Sequence, residues 1–219
     1  NSLHKDMAPY MNMKIKTIIV DFGGVLYQTP DLKWMHRWKK VFGLKDDPEI
    51  SAILANPNES ELMDEICLGH ISEDAIWDFM AERWHIKPEL LKRFKGKVSS
   101  RRMLNQPMVD LLAELHQSYQ TGILSNAGDQ TRTLMVDVFG LDNLVDDIVI
   151  SAEVGVIKPD PAIYEIALSR LNAAPETTLF LDDYLPNVEA ARKLGLTAVQ
   201  FVDNQQSTGE IRTLLAEGA

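Results

Sequence analysis

The sequence predicts an α/β protein, a doubly wound parallel sheet with helices on both faces and a small all-helical insertion after the first strand. Three observations carry this reading. Short, continuous, β-branched runs recur at wide spacing, the pattern of strands buried on both faces. Segments with apolar residues three and four positions apart lie between those runs, as helices packed on a sheet require. One stretch, residues 29–106, breaks the alternation and carries Trp34, Trp38, Trp77 and Trp84.

The strand-like runs are Thr17 to Phe22, Gly122 to Asn126, Asp147 to Ser151, Thr178 to Asp182 and Thr197 to Phe201. The first runs straight into Gly23-Gly24. A helix is expected over Pro107 to Tyr119, with Met108, Leu111, Leu112 and Leu115 on one face and Pro107 in its first turn. A second, Pro161 to Leu171, aligns Ile163, Ile166, Ala167 and Leu171, and a third, Pro186 to Leu194, stops at Gly195 as a C-cap. Within residues 29–106 the segments read as helical and no convincing strand is found. Ser72 is expected to cap a helix containing Ile76, Trp77, Phe79 and Met80. Pro48, Asn56-Pro57-Asn58 and Lys87-Pro88 punctuate the segments. The expected organisation is therefore a core of residues 14–28 and 107–219, a helical unit of residues 29–106, and a tail of residues 1–13 outside the fold. That tail has neither an apolar centre nor a small-residue cleavage pattern and is not read as a signal peptide.

Composition bounds the function. The chain has 219 residues with 22 Lys and Arg against 32 Asp and Glu, a net charge of −10. Such an acidic chain is a poor non-specific ligand for nucleic acid, where cationic side chains neutralise phosphates. A phosphorylated small molecule stays compatible, because a bound divalent cation inverts the local field. No apolar run approaches the ~20 residues of a membrane span. The lone Cys67 allows no intrachain disulfide, which suits a cytoplasmic location. It lies in a helical stretch and reads as core filler, and the scattered histidines have no zinc-ligand spacing.

In parallel α/β sheets ligands bind outside the carboxyl ends of the strands. Here those ends carry Asp21 with Gly23-Gly24 behind it, then Ser125-Asn126, then Asp182-Asp183, while Lys158 follows the third strand. A carboxylate can attack phosphorus and form an aspartyl phosphate. Its charge must first be screened from an anionic substrate, and Mg2+ does this with one or two carboxylates plus phosphate and water oxygens. Asp21, Asp182 and Asp183 supply the carboxylates. Ser125, Asn126 and backbone N–H groups near Gly24 are candidates for holding phosphate oxygens, and Lys158 is a point charge for the transferring group. Taken singly, each has a plainer explanation as a turn former, a helix start or a solvated loop residue. Their coincidence at successive strand ends is the signal.

With these motifs in order, the chain resembles the haloacid dehalogenase superfamily from about Lys14 to Phe201. Asp21-Phe22-Gly23-Gly24-Val25-Leu26 is similar to its first motif and Leu124-Ser125-Asn126 to its second. Lys158-Pro159 with Pro161, Ile163 and Tyr164 is similar to the third. Phe180-Leu181-Asp182-Asp183 with Asn187, Ala190, Ala191 and Gly195 is similar to the fourth. The resemblance implies a Rossmann-like core, a helical cap over the site, and a magnesium-dependent phosphatase acting on a small phosphate ester, sugar phosphates included. It implies Asp21 as nucleophile and metal ligand, Asp183 as direct ligand with Asp182 assisting, and a metal contact from the Gly23 carbonyl. One departure stands out. Most phosphatases of the family carry an aspartate general acid two positions after the nucleophile, and here that position is Gly23. Its loss favours substrates with a stabilised leaving group, such as glycosyl or acyl phosphates. Two other functions compete. One is a binding or regulatory protein with little turnover; the other is a 2-haloacid dehalogenase, whose relatives replace the acidic pair that Asp182-Asp183 keeps.

Overall fold

The computed structural model describes residues 14–28, 37, 40–41, 43–99 and 103–217. The expected tail and the Trp34 and Trp38 pair lie outside the described residues. In chain order the elements are β1 (Thr17–Val20), β2 (Tyr27–Gln28), α1 (Pro48–Ala55), α2 (Glu61–Cys67), α3 (Ala75–Trp84) and α4 (Pro88–Ser99). Then come β3 (Met103–Leu104), α5 (Gln106–His116), β4 (Gln120–Ser125), α6 (Thr131–Thr133), β5 (Asp147–Ile150) and α7 (Ser151–Val154). The chain closes with α8 (Pro161–Arg170), β6 (Thr178–Asp182), α9 (Leu185–Lys193), β7 (Thr197–Gln200) and α10 (Asn204–Glu217).

Five strands form one sheet in the order β5-β4-β1-β6-β7, and every neighbouring pair is parallel. The chain starts at the centre with β1, winds outward through β4 and β5, and returns to wind outward through β6 and β7. Side chains alternate across a strand. Ile18 and Val20 therefore join Leu112 of α5 and Ile211 of α10 in one apolar cluster. Ile19 joins Ile163 and Ala167 of α8 with Val188 and Ala191 of α9 in another. The two clusters lie on opposite faces, which is the doubly wound arrangement the sequence predicts. The register levels the strand ends, since Val20 stands opposite Ile123 on one side and Leu181 on the other. Gly195, with φ 93°, follows α9 in the left-handed region, as its C-cap reading requires.

The helices α1, α3 and α4 have an apolar centre of their own. Ile50, Met80, Trp84 and Phe94 pack together, with Trp77, Phe79 and Ile86 against them. Phe94 meets the rings of Trp77 and Trp84 edge-on at 6.1 and 5.8 Å. Among the described residues no helix is long and apolar enough to cross a membrane.

Three details differ from the sequence reading. Residues 29–106 do contain a strand, because β3 pairs antiparallel with β2 through Tyr27–Leu104 and Gln28–Met103. Two residues per strand are too few for a period of two to register. What brings them together is the closing of the insertion's two ends. Ser72 is not the N-cap of α3; Asp74 occupies that position without a side-chain bond, and the Ser72 hydroxyl donates instead to Asp129 at 2.8 Å. Helix α10, whose Ile211 is buried against the sheet, was not singled out, because its sequence is mostly polar.

Phe94→Ala tests whether the helical unit has an independent core. Truncating a buried aromatic costs about 3–5 kcal/mol. Hydrogen exchange should accelerate in Pro48–Ser99 while β1, β4 and β6 stay protected; uniform acceleration would mean that both cores open together.

Candidate active site

The rim at the carboxyl ends of β1, β4 and β6 is built from buried polar groups. Asp21 follows the four buried residues of β1 and is itself only 7% exposed. Its N–H extends the ladder to the Leu181 carbonyl at 2.8 Å. One carboxylate oxygen, Oδ1, accepts from the Phe22 N–H at 2.7 Å and lies 2.9 Å from Lys158 Nζ.

Lys158 reaches the rim from the loop before α8 and is 3% exposed. Its ammonium donates to the Leu124 carbonyl at 2.9 Å and to Asp182 Oδ2 at 2.7 Å, besides pairing with Asp21. Asp182, fully buried at the end of β6, also accepts from the Tyr184 N–H at 2.8 Å and from Asn187 Nδ2 at 3.1 Å on both oxygens. The Tyr164 hydroxyl in turn donates to the Asn187 carbonyl at 2.9 Å. Asp183 stands beside this network at the lip of the rim. One oxygen from each of Asp21, Asp182 and Asp183 lies within 4.8 Å of the others.

The electrostatics follow from burial and like charge. Desolvation pushes the Asp21 carboxyl up to about 7 against the pull of Lys158, with Asp182 and Asp183 adding to the rise. Desolvation, then Asp182, also raises Asp183. Burial opposes the charge on Lys158, yet Asp182 and Asp21 hold it above the usual lysine range. One lysine thus faces three carboxylates, a surplus of negative charge that a hard cation with oxygen ligands would relieve.

The expected site residues divide into two groups. Asp21, Asp182, Asp183 and Lys158 converge, and Ser125 ends β4 at the same rim, almost fully buried. Asn126 and Gly24 lie at the same rim and have partners within the protein. The Asn126 amide is used on the lysine loop, donating to the Lys158 carbonyl at 2.8 Å and accepting from the Lys158 N–H at 2.7 Å. Its side chain therefore fixes the Lys158 backbone. The Gly24 N–H donates to the Tyr27 carbonyl at 2.9 Å. Gly24 has another use: at φ 79°, a Cβ there would lie 2.2 Å from Asp183 Oδ2. Gly23 is different again, since among the described residues a Cβ there would meet nothing within 4 Å. Sequence reasoning gave Asn187 no role of its own, although its place on the first turn of α9, five residues after Asp182, was the available signal.

Fold and rim together define a hydrolase of the haloacid dehalogenase type. The model of the haloacid dehalogenase-like hydrolases matches residues 15–195, and the chain belongs to that family. A D-ribitol-5-phosphate phosphatase of Bacteroides thetaiotaomicron is 24% identical over 210 residues, covering 92% of this chain and 98% of that protein. Bifunctional epoxide hydrolase 2 of Rattus norvegicus is 31% identical over 115 residues, 50% of this chain but only 21% of its own length. The chain thus matches about a fifth of that relative. Among solved structures, a haloacid dehalogenase family enzyme from Bacteroides thetaiotaomicron, in complex with magnesium and inorganic phosphate, superposes with a TM-score of 0.68 at 21% identity. That match covers 85% of this chain and 93% of that one.

Gly24→Ala should displace Asp183 through the new methyl group and the strained backbone. Disturbing what orients a ligand weakens metal binding by ~10–100-fold, and a Mn2+ titration followed by electron paramagnetic resonance measures it. Unchanged affinity would mean that Asp183 takes no part in binding the cation.

Proposed function

We propose that this chain is a magnesium-dependent phosphatase that acts on a small phosphorylated metabolite through an aspartyl phosphate on Asp21. The observation that carries the reading is the convergence of three carboxylates and one buried lysine on a single rim. Two similar proteins support it by their names, the ribitol-phosphate phosphatase above and a phosphorylated carbohydrates phosphatase of Thermotoga maritima, 35% identical over 79 residues.

The donor set fits Mg2+, which takes hard oxygen ligands and accepts one or two carboxylates. Asp21 and Asp183 would hold it with the Gly23 carbonyl. Asp182, whose oxygens already accept from Lys158, Tyr184 and Asn187, would assist. The ion would screen the carboxylates from the phosphate and offset charge on its oxygens. Asp21 attacks phosphorus with the oxygen that Lys158 and Phe22 do not engage, the bond to the departing oxygen breaks, and water later cleaves the aspartyl phosphate. Lys158 fixes the carboxylate and stabilises charge on the transferring group. Ser125 is the candidate side chain for a phosphate oxygen, and Asn126 serves by holding Lys158. The helical unit, joined to the core through the β2–β3 ribbon, acts as a cap that selects the substrate. The location suited to the lone free cysteine is the cytoplasm.

Gly23 is the observation that favours a second reading, a binding or regulatory protein with little turnover. Against it stands the intact nucleophile, lysine and acidic pair. The same pair argues against a dehalogenase, which attacks carbon without a metal.

A screen of phosphate esters with and without Mg2+ tests the reading. Asp21→Asn should reduce phosphate release to background with the fold intact, and turnover persisting in that variant would end the mechanism. Gly23→Asp supplies the general acid that the family usually has, at a position where among the described residues a Cβ would meet nothing within 4 Å. General acid catalysis contributes ~10²–10⁴-fold. The variant should therefore gain more on a sugar 6-phosphate than on the matching 1-phosphate, whose leaving group needs less protonation. Equal gains, or none, would mean that another group already supplies the proton.

A further inference from the structure

We infer that Asp129 is a positioning residue whose carboxylate clasps the turn between α2 and α3, and so sets how the helical unit sits over the rim. The consequence for catalysis rests on the phosphatase reading; the clasp itself does not.

The observations are independent of the carboxylate cluster. Asp129 lies in the loop after β4, beyond Ser125 and Asn126. Its Oδ2 accepts from the Ser72 hydroxyl at 2.8 Å and its Oδ1 from the Glu73 N–H at 2.9 Å, donors 57 and 56 positions away in the chain. Hydrogen bonds from Glu73 and then Ser72 hold the Asp129 carboxyl below the usual range, so the acceptor is charged. A charged acceptor with two donors is stronger and more directional than a neutral one.

The surrounding backbone is shaped for this contact. A Cβ on Gly128 would lie 2.9 Å from Ile66 Cγ2 and 3.0 Å from Glu73 Cβ. On the turn after α2, a Cβ on Gly69, at φ 75°, would collide with the carbonyl oxygen of Ala152 in α7. Two glycines, one from each side, therefore let the helical unit and the core meet without an intervening side chain. The turn sits at the carboxyl end of the sheet, because Gly69 approaches Ala152 in α7, directly after β5.

Among the described residues the unit meets the core at the β2–β3 ribbon, where the chain connects the two, at the close approach of Gly69 to Ala152, and at the Asp129 clasp. The clasp consists of hydrogen bonds from the turn to one side chain and can open without breaking the chain. Opening it would free the turn to move off the rim, admitting substrate, and closing it would return the turn to the rim.

Hydrogen exchange on the full chain tests the clasp directly. Asp129→Ala should accelerate exchange across residues 68–75 by ~10-fold or more, with the strands of the sheet unchanged. Ser72→Ala should give a smaller increase, and the double variant should add little to Asp129→Ala. Asp129→Asn, which keeps acceptor oxygen but no charge, should fall between. With an aryl phosphate and Mg2+, Asp129→Ala should raise KM more than it lowers kcat, a split that general destabilisation would not produce. Faster local exchange in a protein with no phosphatase activity would uphold the clasp and remove the catalytic reading. Unchanged exchange in Asp129→Ala overturns the proposal, as does faster exchange with KM and kcat both unaltered in an active enzyme.

Discussion

A buried lysine needs anionic partners, and Lys158 has one on each side. Its ammonium lies 2.9 Å from Asp21 and 2.7 Å from Asp182, with the Leu124 carbonyl as a third acceptor. Desolvating one cation and two carboxylates is unfavourable unless geometry and further hydrogen bonds offset it. The further bonds are present. Phe22 and Tyr184 donate backbone N–H groups, Asn187 holds both oxygens of Asp182, and Asn126 grips the lysine backbone at donor and acceptor. These groups come from the ends of three strands and from the loop before α8. The level strand ends and the parallel order of β4, β1 and β6 are what allow one ammonium to reach them all.

The same arrangement leaves a residual problem that bears on function. One positive charge cannot neutralise Asp21, Asp182 and Asp183 together, and desolvation with mutual repulsion raises the first and the last. A site assembled only for stability would have no use for the third carboxylate. Replacing a buried ionic group by apolar packing is often neutral or stabilising. The surplus matches the proposed function, in which a cation and an anionic phosphate would arrive together. The ordering is economical, because Asp182 is fixed by the lysine and Asn187 while Asp183, at the lip, stays accessible.

Much of this was legible in the sequence because strand periodicity and the residues at strand ends are local signals. The five β-branched runs became the five strands of the sheet within a residue or two, and Asp21, Asp182, Asp183 and Lys158 met where parallel α/β topology places ligands. Partners were less legible than positions. Residue type says what a group can bond but not which partner reaches it first. Asn126 found the Lys158 backbone, the Gly24 N–H found Tyr27, and Ser72 found Asp129, 57 positions away. The two-residue ribbon was illegible for a related reason, since its pairing is set by where an insertion closes and not by any run of side chains.

The adjacent glycines after Asp21 separate structural from chemical necessity. Gly24 is demanded by geometry, through its positive φ and through Asp183 lying where a side chain would go. No substitution there could leave the acidic pair undisturbed. Gly23 carries neither constraint. Its backbone lies outside the left-handed region, and among the described residues a Cβ there would meet nothing within 4 Å. Neither the backbone nor the described packing therefore calls for glycine at this position, so under the proposed phosphatase function the choice bears on how the leaving group is protonated. Either the leaving group departs with little protonation, or the proton comes from another group.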